Sequence, residues 1–176
     1  MLYMSAAHRK GNPNPTVKPQ DNIDADTMSD AATLPHIDEH MTTICGDDPE
    51  RVWNALGAVL ERFWRVPRTG TRLLRAEPAT RAGNPLVAGS ALPAFNVTRA
   101  EPGRELALEG HHRFSLYALI FRLIPGEDHI TLTAETRAAF PGVSGRAYRW
   151  LVIGTRGHIL VVRALLRATR KRAERG

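Results

Sequence analysis

Along the last third of the chain Tyr148, Leu151, Val152, Thr155, Ile159, Val162, Leu166 and Thr169 recur at spacings of three and four. That rhythm puts them on one face of a helix and predicts a long closing helix from Ser144, its cap, to Arg175. Gly154 and Gly157 fall inside it at a cost of about 1 kcal/mol each relative to alanine. One face of such a helix is apolar, so another layer must cover it. Upstream the period changes to two. Phe95 to Ala100, Glu105 to Glu109, Arg113 to Ile124 and His129 to Phe140 read as consecutive antiparallel strands, separated by Pro102-Gly103, Gly110 and Pro125-Gly126. In the last strand Ile130, Leu132, Ala134 and Thr136 alternate with Thr131, Thr133, Glu135 and Arg137, which predicts one buried face and one wet face.

Nearer the start, Thr42, Thr43 and Ile44 mark a strand over His40 to Cys45. Asp47-Asp48-Pro49-Glu50 then reads as a helix start, with an aspartate cap, proline in the first turn and an acidic residue at the positive helix end. Val52, Leu56, Val59, Leu60 and Phe63 form its apolar stripe, flanked by Trp53 and Trp64, and Pro67 and Gly70 end it near Arg65. From Arg68 to Pro93 prolines and glycines leave room only for short strands. Residues 1 to 36 are rich in Asn, Pro, Asp, Thr and Ala with few bulky apolar side chains. Such a segment cannot bury enough surface to offset its ordering entropy, so it is expected to be a disordered arm before a single domain covering 37 to 176.

Composition narrows the class. The chain has 176 residues, 43% of them hydrophobic and 24% charged, which is ordinary for a soluble globular domain. Six cations (Arg163, Arg167, Arg170, Lys171, Arg172, Arg175) face one acid, Glu174, at the chain's end, so this stretch carries +5 of the net +6 charge. Cations near a helix C-terminus complement the macrodipole, which is the plainest reason for the cluster. The lone Cys45 allows neither an internal disulfide nor a multi-cysteine metal site. The N-terminus has no apolar run like that of a secretory signal, and no stretch approaches the roughly 20 apolar residues of a membrane span. A cytoplasmic protein without a cofactor is expected.

The stretch Asp48-Pro49-Glu50-Arg51-Val52-Trp53 and the region Ala147 to Arg170, set in the order strand, helix, antiparallel run, long helix, resemble the START-type helix-grip superfamily. This superfamily, also called SRPBCC, includes polyketide cyclases, plant hormone-binding proteins and lipid-transfer domains, and the likeness covers Ile37 to Arg175. It implies an α+β fold in which a curved antiparallel sheet wraps around the C-terminal helix and leaves a hydrophobic cavity between them. Gly145-Arg146-Ala147-Tyr148, His158, Arg163 and Arg167 are similar to uncharacterised bacterial members. Those members usually carry a Pro-Phe pair where this chain has Arg156-Gly157.

On this resemblance the expected cavity is lined by Phe95, Val97, Phe114, Leu116, Tyr117, Ile130 and Leu132 from the sheet and by Tyr148, Leu151, Val152 and Thr155 from the helix. His112, Tyr117 and His158 are the polar groups placed to orient a ligand. Only one of His111 and His112 can face the cavity, since neighbours on a strand point to opposite sides. No HExxH, nucleophile elbow, P-loop or GxGxxG occurs, and no metal site is expected. The expected partner is a small hydrophobic molecule such as a lipid or polyketide. A cyclase or aromatase-type enzyme using the same cavity, with a histidine as general acid or base, is the alternative. A third reading has Arg163, Arg167, Arg170, Lys171 and Arg172 contact an anionic membrane. Nucleic acid is a weaker partner for those cations because no aromatic residue interleaves them for stacking.

Overall fold

Asp48 starts the first helix as its position suggests. Its carboxylate accepts hydrogen bonds from the backbone N–H of Glu50 at 2.9 Å and of Arg51 at 3.2 Å, while Pro49 occupies a position where no N–H is needed. Helix α1 therefore runs over Pro49–Trp64, with Arg65 at its C-cap. Arg51 also reaches back to the Cys45 carbonyl at 3.1 Å and ties the helix to the strand before it. Asp48→Ala is expected to lower stability by about 1 kcal/mol, read as a shift in the urea midpoint at unchanged slope.

The computed structural model describes residues 33–65, 78, 81–112, 115–142 and 157–175. Within them the strands are β1 (His36–Cys45), β2 (Ala91–Leu92), β3 (Phe95–Glu101), β4 (Glu105–His112), β5 (Ser115–Pro125) and β6 (His129–Ala139), and the second helix, α2, is Gly157–Ala173. The strands form one curved sheet in the order β1-β6-β5-β4-β3-β2, and every neighbouring pair is antiparallel. Strands β2 to β6 follow one another as a meander, and β1 closes the sheet by pairing with the last of them. This is the α+β helix-grip arrangement: an antiparallel sheet with α1 and the C-terminal helix against one face.

That inner face carries the core. Leu106, Leu108, Leu119, Phe121, Leu132 and Ala134 pack in one cluster with Val52, Leu56, Leu60 and Trp64 of α1 and with Val162, Leu165, Leu166 and Ala173 of α2. On α2 the buried stripe is Val162, Leu165, Leu166, Thr169 and Ala173, close to the spacing expected. The outer face has its own small cluster of Ala107, Ala118 and Ile120, against which Leu34 packs. Arg137 donates to the Leu34 carbonyl at 3.1 Å, and the Ala138 N–H to that of Pro35 at 3.0 Å. Packing thus begins ahead of the expected boundary at Ile37.

Several expectations change here. Gly110 does not separate two strands; it lies within β4 directly opposite Tyr117. The face of β6 expected to be wet is not, since Glu135 is only 6% exposed and Thr133 is buried as well. Strand β6 sits between β1 and β5, and long side chains from its neighbours and its own Arg137 cover it: Arg122, Arg137 and His36 all converge on Glu135. Arg122 also bonds Glu105 at 2.8 Å, and Glu105 pairs with Arg99 at 3.0 Å, so an alternating ladder crosses the outer face from β3 to β6. The stretch before Pro93 contributes β2 and a bridge between Ala82 and Ala91. The expected N-terminal arm to residue 32, the strand start at Arg113, and the helix from Ser144 to Arg156 lie outside the described residues.

Candidate functional site

Strand β1 opens His36-Ile37-Asp38-Glu39-His40. Strict alternation would put His36, Asp38 and His40 on one face, but the register slips between His36 and Asp38. The irregularity re-aims His36 to the outer face, where its Nδ1 lies 3.2 Å from Glu135 Oε1. Asp38 and His40 stay on the inner face, paired across to Thr136 and Ala134 of β6.

The first turn of α2 brings His158 onto this pair. Its Nε2 is 2.7 Å from Asp38 Oδ2, and His40 Nε2 lies 3.9 Å from the same oxygen. The His158–Asp38 contact is a short, charge-assisted geometry. Donation from Nε2–H to the carboxylate leaves the ring's Nδ1 facing away from it, free to meet a ligand's polar group. Four buried polar atoms here have no hydrogen-bond partner: Asp38 Oδ1, His40 Nε2, His158 Nδ1 and Thr136 Oγ1. Acceptors, a hydroxyl and an imidazole that can serve either way are thus gathered between the sheet edge and α2. Chemically the group can hold a ligand's hydroxyl, amine or carbonyl, and the aspartate–histidine pair has the form of an oriented base.

A second polar group lies on the same face at β4 and β5. His112 Nε2 is 3.0 Å from Ser115 Oγ, and burial, then the adjacent His111, pushes the His112 pKa down, which favours the neutral ring. Tyr117 donates its hydroxyl to the Ala94 carbonyl at 2.8 Å. Phe63, Trp64, Phe95 and Tyr117 form a chain of edge-to-face contacts with centroids 5.0, 5.6 and 5.1 Å apart, and His112 joins it at 5.5 Å from Tyr117. Tyr117 pairs with Ala138, one position beyond the Thr136 pair on the same face. Two strand spacings separate β1 from β5, so the two polar groups lie on the order of 10 Å apart.

The residues expected to line a cavity therefore divide. Phe95, His112 and Tyr117 gather on β3 to β5 of the inner face, and His158 stands beside β1, two strands away from β5. Val97, Ile130 and Leu132 are fully buried in the packed core. Leu116 belongs to the opposite face: it follows the alternation of Ala118 and Ile120, and neighbours on a strand cannot both line one cavity. Phe114, Tyr148, Leu151, Val152 and Thr155 lie outside the described residues. Asp38 and His40 are additions that the sequence reading missed. Their signal was the polar i, i+2 spacing inside an otherwise apolar-facing strand, hidden by starting that strand at His40. Among the described residues no group of three or more His, Cys, Asp and Glu is arranged to hold a metal ion.

No family model matches the chain, and no curated protein matches it significantly. Solved structures similar to it include several bacterial proteins. Mll3558 from Rhizobium loti is 19% identical, the match covering 80% of this chain and 99% of that one with a TM-score of 0.43. TTHA0849 from Thermus thermophilus is 14% identical over 79% and 97% of the two chains at 0.47. CV1439 from Chromobacterium violaceum is 13% identical over 78% and 99% at 0.49.

Proposed function

We propose that this protein binds a small, largely hydrophobic molecule against the inner face of the sheet beside α2, with Asp38, His40 and His158 holding its polar group. The convergence of four buried polar atoms without partners carries the reading. Folded proteins pair nearly all such atoms, because each one left bare costs about 1–3 kcal/mol. A ligand bringing one or two hydroxyl, amine or carbonyl groups would satisfy them, while the neighbouring apolar surface would take up its hydrocarbon. The resemblance of the sequence to the helix-grip superfamily favours the same kind of ligand. A second reading, acid–base turnover of that ligand, is favoured by the Asp38–His158 hydrogen bond, which fixes the ring so that one nitrogen faces away from the carboxylate.

Native mass spectrometry of protein purified from its own host, followed by denaturing extraction, tests the first reading. A stoichiometric apolar compound is expected, and its affinity for Asp38→Asn and His158→Phe should fall roughly 10- to 100-fold, the worth of a charge-assisted hydrogen bond. Tyr117→Phe should leave it within about twofold, since that hydroxyl is already donated to Ala94. If both site variants retain the compound as wild type does, the assignment to Asp38 and His158 is wrong. Conversion of the extracted compound by wild type but not by His158→Phe would establish the second reading.

A further inference from the structure

The outward face of α2 has a composition that neither the core nor the proposed ligand explains. Arg163, Arg167, Arg170, Lys171 and Arg172 are all exposed on it, and Arg175 is exposed just past the helix end. Of these six cations only Arg170 has an ion-pair partner among the described residues, Glu174 at 2.9 Å. Arg167 spends one N–H on the Arg163 carbonyl, which leaves its charge uncompensated. The macrodipole accounts for cations in the last turn, where Arg170, Lys171 and Arg172 stand, but not for Arg163 and Arg167. Nor does it account for Leu160 and Val161, which are 65% and 38% exposed at the start of the same helix. At 100° per residue Leu160, Ala164, Arg167 and Lys171 fall along one line down the middle of the outward face. The face is apolar at one end and cationic over the rest.

We infer that this face docks the protein on an anionic membrane surface, with Leu160 and Val161 entering the interfacial layer and the arginines meeting lipid phosphates. A nucleic-acid backbone would use the charge, but it offers nothing to exposed Leu160 and Val161, and the cations have no aromatic neighbour in sequence on which bases could stack. A lipid interface uses both components, since binding strength follows buried apolar area together with attraction to anionic headgroups. His158 stands two residues before Leu160, a rotation of about 200° around the helix. The turn that holds Asp38 on one side thus presents Leu160 to the membrane on the other, although docking rests on the outward face alone and not on the ligand reading.

Flotation of the full chain with phosphatidylcholine vesicles carrying about one phosphatidylglycerol in three lipids tests this. The protein should float with these vesicles at low salt, remain behind with pure phosphatidylcholine, and detach near 1 M salt, where screening shortens to about 3 Å. Each cation near an acidic surface is worth about fivefold, so Arg163→Gln/Arg167→Gln/Lys171→Gln should weaken partitioning by about two orders of magnitude. Leu160→Ser, which leaves the charge intact, should weaken it about tenfold. All four positions are exposed, and circular dichroism of each variant serves as the check on folding. Failure to float at low salt overturns the inference, as does unchanged flotation of the triple variant. So does tight binding of a mixed-sequence oligonucleotide together with no effect of Leu160→Ser on flotation, which would assign the face to nucleic acid.

Discussion

Glu135→Gln is expected to destabilise the protein by about 2–3 kcal/mol at neutral pH, although the change is nearly isosteric and no ligand site is touched. The Glu135 side chain is 7% exposed and accepts from Arg122 at 2.7 Å and Arg137 at 2.6 Å, with His36 at 3.2 Å. Burial alone would raise its pKa, but the hydrogen bonds from Arg122, His36 and Arg137, with the charge of Arg137, outweigh burial and bring it from 4.5 to about 2. The folded-state value lies below the unfolded one, so this stabilisation is complete above about pH 4.5 and is lost as the pH falls towards 2. The glutamine variant mimics the protonated acid. Its deficit relative to wild type, measured by urea unfolding, should therefore be full at neutral pH and shrink through that window. A deficit that stays constant down to pH 2 would mean that packing, not charge, holds the ladder together.

Gly110→Ala is expected to cost about 3 kcal/mol, the upper end for inserting an atom into a packed site, and to lower the melting temperature by roughly 6–12 °C. A Cβ at this position would collide with the Ala94 carbonyl oxygen and the Tyr117 ring. Neither can step aside easily. Ala94 is held in the left-handed region at φ 71°, its N–H bonded to the Pro78 carbonyl at 2.7 Å and its own carbonyl to the Tyr117 hydroxyl. The added methyl group must push apart the contact that joins the loop before β3 to β5. The Tyr117 hydroxyl should then lose its partner, which would appear as a changed tyrosine near-ultraviolet signal. Toleration of the alanine at under about 1 kcal/mol would show that the loop around Ala94 is looser than its hydrogen bonds imply.

Both positions mark where local reading of the chain stops. Gly110 resembles a strand breaker in sequence because glycine is common in turns. Its role, to let Tyr117 and the Ala94 loop close over β4, depends on residues brought next to it by the sheet. Glu135 sits in a clean polar–apolar alternation, which ordinarily signals a solvent face. The alternation does separate the two faces of β6, yet the ladder from Arg99 to His36 removes the polar face from water. Leu116 and Tyr117 show the same limit, because an apolar run such as Ser115–Pro125 does not reveal on its own which parity faces inward.

What the amino-acid order determined by itself are the features set within a few residues. Asp48 and Pro49 place the start of α1, Pro102-Gly103 and Pro125-Gly126 end the strands around them, and the spacing of Val162, Leu166 and Thr169 makes α2 amphipathic with its cations outward. These follow from capping, turn geometry and periodicity, whose energies act over a turn or a strand pair. The candidate site was decided by tertiary structure. The register irregularity after His36 sends that histidine to Glu135 and leaves Asp38 and His40 on the inner face, and helix docking then carries His158 across 120 residues of sequence to Asp38. Strand register and helix position are chosen by burial summed over the whole core, so no local window contains the information that joins these three side chains.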